Sequence, residues 1–142
     1  VLVACNAEGA RAARSAASLR VVPLTGPEVL AGSTRLKAGT ATKLVLNTMT
    51  TAAMTGLGRV YGNRMIDLQP RSAKLYERAL RLVTDLGGVS RGRARTALKA
   101  SRGRVRVAIV MAKSGGNAIE AARALAAVGG SLRAALQKPR RK

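Results

Sequence analysis

Apolar residues fall along this chain in two rhythms. Val1 to Cys5 is an unbroken apolar run, and Arg20 to Leu24 carries a second, β-branched one. A run that is apolar on both faces suits a strand of a parallel sheet, which is covered on both sides. Between the two runs, Gly9 to Leu19 sets Ala12, Ala13, Ala16 and Ala17 at helical spacing. Strand, helix and strand predict a βαβ unit, stopped by Thr25-Gly26-Pro27. From Thr40 the helical rhythm takes over. A long helix is predicted over Thr40–Leu57, with Ala41, Leu44, Val45, Met49, Ala52, Ala53 and Leu57 on one face, ended by Gly56 and Gly58. Tyr61 to Leu68 is read as a short connection with a turn at Gly62-Asn63. Arg71 to Leu86 predicts a further helix, with Leu75, Ala79, Leu82, Val83 and Leu86 inward and Gly87-Gly88 closing it.

The last third repeats itself at an offset of 27 residues. Ser90 and Asn117 both have the chemistry of an N-cap. At the same offset Ala94 matches Ala121, Ala97-Leu98 match Ala124-Leu125, and Gly103 matches Gly130. Val105 then matches Leu132, and Ala108-Ile109 match Ala135-Leu136. Each unit reads as helix, glycine turn, helix, and a pair of such units can bury a shared core. Lys138 to Lys142, KPRRK, is expected to be a disordered basic end.

Composition narrows the chemistry. Hydrophobic residues are 47% of the 142, yet there are two Tyr and no Phe or Trp, so the core is aliphatic and rich in alanine. Alanine buries little area, which predicts modest stability. One cysteine, Cys5, rules out an internal disulfide and fits a reducing compartment. With no histidine and one cysteine, a zinc-type site and a Ser-His-Asp triad are both excluded. No apolar run reaches the roughly 18 residues of a membrane helix. VLVACNAEGA at the start lacks the pattern of a secretory leader, so a cytoplasmic protein is expected.

The net charge of +20 is uneven: residues 90–142 carry fourteen Lys/Arg against a single acid. Arg91, Arg93, Arg95, Lys99, Arg102, Arg104 and Arg106 dominate this stretch. Like charges four apart, such as Arg91/Arg95 and Arg95/Lys99, cost roughly 0.2–0.5 kcal/mol each on a helix. A field of this kind attracts polyanions. Stacking aromatics and a recognised reading motif are both missing, so nucleic acid is expected only as a weak electrostatic partner.

The densest chemistry lies in Thr25 to Lys43, TGPEVLAGSTRLKAGTATK. Two hydroxyls (Ser33, Thr34), two cations (Arg35, Lys37), one carboxylate (Glu28) and three glycines lead into the long helix. Glycines admit close backbone approach, hydroxyls and N–H groups donate to phosphate oxygens, cations balance charge, and a helix N-terminus adds a favourable dipole. That set suits a small phosphorylated, polyhydroxylated ligand. The plain alternative is a solvated loop with an N-cap, in which Glu28 simply follows Pro27 into the helix and stabilises its dipole. Gly32 and Gly39 are read as turn glycines, Lys43 and Asn47 as the polar side of the helix, and Asp67 has no assigned role. Cys5, at a strand end, is read as a small buried residue rather than a nucleophile.

GPEVLAGSTRLKAGTATK also resembles the signature of the N-acetylmuramic acid 6-phosphate etherases, shared with the animal glucokinase regulatory protein. The resemblance continues through LVLNTMTTAAMTGLGRVYGNRMIDL (44–68), AKLYERALRLV (73–83) and VRVAIVMAKSG (105–115). It implies an α/β fragment of a parallel-sheet, sugar-isomerase-type domain, with two strands at most in this chain, followed by a mainly α-helical C-terminal region, so that the whole is predominantly helical. The expected division is 1–68 for the sugar-phosphate domain, 69–89 for a connecting helix, 90–137 for a ubiquitin-associated-like helical tail and 138–142 for the basic end. Because the family holds more than half of its sheet domain upstream, a truncated copy or C-terminal fragment is expected.

The family cleaves the D-lactyl ether of N-acetylmuramate 6-phosphate without a cofactor: a base removes the C2 proton, lactate is eliminated, and water adds at C3. The products are N-acetylglucosamine 6-phosphate and D-lactate. The resemblance implies that Glu28, Ser33, Thr34, Arg35 and Lys37 face the sugar phosphate, that the complete protein is a homodimer, and that the acid and base are glutamates matched by nothing in this sequence. Two other functions remain open: a sugar-phosphate-binding regulator, and a basic nucleic-acid-binding protein.

Overall fold

The computed structural model describes residues 1–13, 15 and 17–137. The expected basic end, 138–142, and Ala16 of the first predicted helix lie outside the described residues. The chain forms two compact units, Val1–Ala53 and Met54–Lys142.

In the first unit, β1 (Leu2–Val3) and β2 (Arg20–Val21) pair in parallel, with Leu2 opposite Arg20 and Val3 opposite Val21. The intervening helix α1 (Ala7–Ala12) is shorter than the predicted Gly9–Leu19 and begins earlier. Asn6 is the reason for the start: its Oδ1 accepts from the N–H of Gly9, the N-cap bond that satisfies an orphan donor of the first turn. The long helix α2 (Lys37–Gly56) begins three residues before the predicted start. Its apolar face is left largely uncovered. No residue of α2 is buried, and Leu44 is 62% exposed. Ala41, Val45 and Met49 of that stripe are half-buried, whereas Ala52 and Ala53 are exposed. A ladder of two short strands is too small to cover a helix of 20 residues.

The second unit is helical apart from a hairpin. β3 (Val60–Tyr61) and β4 (Arg64–Met65) pair antiparallel around the loop Gly62-Asn63. Gly62 has φ +60°, the positive value that two-residue hairpin loops require. Strands of two residues leave no alternation to detect, so the pattern predicts the turn and only a connection beside it. The helices are α3 (Ala73–Gly87), α4 (Arg91–Ala100), α5 (Val105–Ser114), α6 (Ala118–Ala126) and α7 (Leu132–Gln137). Helix α3 starts from Ser72, whose hydroxyl accepts from Leu75 N–H, and ends on Gly88 in the left-handed conformation.

Helix α5 lies at the centre and touches α3, α4, α6 and α7. Its sequence VRVAIVMAKS is apolar on most sides, and Val105, Val107, Ala108, Ile109 and Val110 are all buried. Around it close Ile66, Leu80, Val83, Leu98 and Leu132, each at most 2% exposed. Positions 27 apart occupy equivalent places. Ser90 and Asn117 both cap helices, Ala94 and Ala121 are buried, Gly103 and Gly130 both have positive φ, and Val105 and Leu132 are the buried first residues of α5 and α7. Asn117 adds a reciprocal capping box with Glu120. Two helices meet where Gly87 faces Ala112: a Cβ added to Gly87 would lie 2.7 Å from the alanine methyl.

Burial therefore divides the stability unequally between the units. Ile109→Ala is expected to lower the unfolding free energy by about 2–5 kcal/mol, and Leu44→Ala on exposed α2 by less than about 0.5 kcal/mol. Urea denaturation followed by circular dichroism checks the contrast; equal losses would mean that α2 is covered after all.

Candidate functional site

The loop before α2 is built around a carboxylate. Glu28 Oε2 accepts from Lys37 N–H at 2.8 Å and Oε1 from Ala38 N–H at 3.0 Å. Gly39 N–H is satisfied by the carbonyl of Thr34 at 2.8 Å and the N–H of Leu36, the residue before the helix, by that of Ser33 at 3.2 Å, so that the ladder of α2 begins with Thr40 N–H on Leu36 O at 3.0 Å. All four orphan donors of the helix start thus have acceptors within the loop. Glu28 sits where an anionic ligand would otherwise meet the dipole, and it explains the early start of α2: the capping group lies nine residues upstream, beyond the reach of local pattern. The N–H groups of Ala38 and Lys37, and to a lesser degree the Lys37 charge, hold the Glu28 carboxyl below its ordinary value, against a smaller upward push from desolvation.

Lys37 turns its ammonium back on the loop, donating to the Pro27 carbonyl at 2.9 Å. Ser33 and Thr34 lie in a tight bend, with Ser33 N–H on Leu30 O and Thr34 N–H on Gly32 O, both at 3.0 Å. Gly32 at φ +80° permits that bend, and Gly39 lets α2 close on it, since a Cβ there would lie 3.3 Å from Thr34 O. Ser33 is half-buried, while Thr34 and Arg35 are exposed, and Arg35 makes no ion pair among the described residues.

The five candidates therefore share one loop in two roles: Glu28 and Lys37 brace it, and Ser33, Thr34 and Arg35 are presented by it. A shallow hollow of about 460 Å³ beside it is lined by Leu36, Lys37, Thr40, Ala41 and Leu44, and so touches only Lys37 of the five. Cys5 is half-buried against α2, its thiol 3.3 Å from Ala38 O and 3.2 Å from Thr42 Oγ1. Among the described residues no cluster could hold a metal ion, and no helix is long and apolar enough to cross a membrane.

A further cavity lies within the second unit. It measures about 990 Å³ and is walled by the segment after the hairpin, α4, the α4–α5 turn and α5. Asp67, which had no role in the sequence reading, pairs there with Arg59 and, at 3.2 Å, with Arg106, whose other nitrogen donates to Gly130 O at 2.9 Å. The basic run along α4 and α5 is a pattern of residue type, but the hollow it borders depends on Pro70 and Arg71 folding back beside Arg102 and Gly103.

The Glu28 clamp has a pH signature. A carboxylate with a lowered folded pKa contributes in full above the unfolded value and loses its hold as pH falls through the folded one. Amide exchange at Lys37 and Ala38 is expected to accelerate, relative to Gly39, which a carbonyl holds, as the pH falls below the ordinary glutamate range. Glu28→Ala is expected to bring the same acceleration at neutral pH; nuclear magnetic resonance reads both, and protection unchanged in the variant would contradict the clamp.

Residues 62–102 match the family described as the C-terminal lid domain of glucokinase regulatory protein. Three curated proteins named N-acetylmuramic acid 6-phosphate etherase are similar over longer stretches. The one from a Synechococcus species is 56% identical over 92 residues, 65% of this chain and 29% of that protein. The one from a Picosynechococcus species is 50% identical over 122 residues, 86% of the chain and 40% of its length. The one from a Synechocystis species is 46% identical over 136 residues, 96% of the chain and 44% of its length. Across these three the chain spans less than half of each relative. With nearly its whole sequence aligned at such identity, the chain belongs to the N-acetylmuramic acid 6-phosphate etherase family.

Proposed function

We propose that this chain supplies part of the sugar-phosphate pocket of an etherase that cleaves the D-lactyl ether of N-acetylmuramate 6-phosphate. The observation that carries the reading is the 46% identity maintained over 136 residues with a protein of that name. The braced loop is consistent with it: Glu28 and Lys37 fix the backbone, so that Ser33 and Thr34 can donate to the ligand and Arg35 can balance its charge. Assigning residues 1–68 to a sugar-isomerase-type domain and 90–137 to its helical tail rests on the same relationship. A cytoplasmic homodimer with α2 at its subunit contact fits the uncovered apolar residues Leu44 and Leu46.

The proton-transfer groups are proposed to lie outside this sequence. It has six carboxylates, and five are committed elsewhere: Glu28 to α2, Asp67 to Arg59 and Arg106, Glu77 to Arg91, Asp85 to Arg64, and Glu120 to the Asn117 cap. Glu8 stands alone in the first turn of α1. An elimination that needs both an acid and a base near one sugar ring finds no such pair here.

The match of residues 62–102 to the lid of a regulatory protein supports a second reading, a sugar-phosphate-binding regulator that binds without turnover. Lactate release from N-acetylmuramate 6-phosphate separates the two. The chain alone is expected to release none; a complete etherase carrying this segment is expected to turn over. In that enzyme, Arg35→Ala combined with Lys37→Ala is expected to lower kcat/KM roughly 10- to 100-fold, with Lys43→Ala unchanged. Kinetics indifferent to Arg35 and Lys37 would defeat the assignment, and sugar-phosphate binding by the complete protein without lactate release would favour the regulator.

A further inference from the structure

The cavity of the second unit has a chemistry that the etherase reading leaves unused. Arg71, Arg95, Lys99, Arg102, Arg104 and Arg106 line it, against the single acid Asp67. Asp67 is already engaged by Arg59 and Arg106, so it offers no counter-charge to the others. Among the described residues Arg71, Arg95, Lys99 and Arg102 make no ion pair. Arg91, one turn before Arg95, does make one, with Glu77 at 2.6 Å. The surface thus pairs a cation just outside the hollow and, among the described residues, leaves Arg71, Lys99 and Arg102 along it without an ion pair, while Arg95 shares only the field of the already paired Glu77. The walls are partly apolar, with Leu68, Leu98 and Val105 among them, and a low-dielectric wall strengthens the field of the charges beside it.

The cations follow one another along the chain. Arg95 and Lys99 stand four residues apart on α4, about 6 Å along its axis. Arg102 follows in the turn at φ +54°, a left-handed value that a non-glycine residue seldom adopts. The turn is pressed onto the opposite wall: a Cβ on Gly103 would lie 3.2 Å from Pro70 Cγ. Arg104 comes next and is steadied by its Nε donating to Ser101 O at 3.1 Å. Gln69 is the only uncharged amide in the lining, which contains no Ser, Thr or Asn, so little there suits sugar hydroxyls. Tyr76 is the only aromatic, too little for a stacking ladder.

We propose that the groove bordered by Arg71, Arg95, Lys99, Arg102 and Arg104 binds a linear string of phosphates, through charge and without reading bases. Single-stranded nucleic acid and inorganic polyphosphate both carry that chemistry.

The test measures fluorescence anisotropy of a labelled oligothymidylate of about 12 nucleotides on the full chain, from about 50 to 200 mM salt. Arg95→Ala, Lys99→Ala and Arg102→Gly together are expected to weaken binding at least tenfold at about 100 mM salt and to flatten the salt slope by about 2, near 0.7 for each cation lost. Lys74→Ala, Arg78→Ala and Arg81→Ala remove the same charge from exposed sites on α3 outside the groove, and are expected to leave most of the affinity. Arg102→Gly alone suits the left-handed backbone, so its melting temperature should not fall, and its loss of affinity reports the contact rather than misfolding. Displacement by inorganic polyphosphate supports a phosphate string of either source; displacement by unlabelled oligonucleotide alone supports the nucleic-acid backbone. Equal weakening in the α3 control, displacement by glucose 6-phosphate at the same phosphate concentration, or no binding at about 100 mM salt would overturn the proposal.

Discussion

Helix α5 is surrounded. Four helices of its unit pack on it, and its five buried residues supply much of the apolar area on which that unit closes. The constraint reaches outward from there. The α3–α5 approach needs Gly87, because a methyl group would collide with Ala112. The first residues of α5 and α7, Val105 and Leu132, are sealed by glycine turns at 103 and 130 that let the chain reverse without exposing them. Arg106 on α5 ties Asp67 and Gly130 to the same helix through its guanidinium. The shape of the cationic groove follows from this packing, since Ile66, Leu98 and Val105 belong both to its walls and to the core around α5.

The first unit is organised on the opposite principle. Its long helix buries no residue, and its start is fixed by hydrogen bonds rather than by packing. Glu28 accepts two backbone donors, Lys37 returns a bond to Pro27, and the thiol of Cys5 reaches Ala38. Such bonds set geometry well but contribute little net free energy in an exposed setting. A loop held in this way can keep Ser33, Thr34 and Arg35 in a fixed relation while its apolar neighbours on α2 remain uncovered.

Charge links the two descriptions. With 26 basic residues and six acids, every carboxylate matters, and five of the six are spent on caps or ion pairs. Glu77 illustrates the pattern: the hydrogen bond from Arg91, followed by the charges of Arg91, Arg81 and Arg95, keeps its carboxyl ionised below the ordinary range. Acids used to position helices are unavailable as general acids or bases, and cations left without acids along α4 and its following turn create the field that the groove presents.

Much was legible in the residues themselves. Ser90, Asn117, Gly88, Gly103 and Gly130 marked helix boundaries because caps and left-handed turns are local chemistry, decided within a few residues of the chain. The 27-residue offset and the ordered set Glu28, Ser33, Thr34, Arg35 and Lys37 were equally visible, since both are patterns of residue type. Tertiary structure alone decided what each residue faces. It gave Glu28 to the amides of Lys37 and Ala38, left the Leu44 stripe uncovered, and folded Pro70 and Arg71 beside Arg102 and Gly103 to make a groove from a basic run. Periodicity can say which side of a helix is apolar, but whether another surface arrives to cover it depends on contacts between residues far apart in the chain, and those are set by packing as a whole.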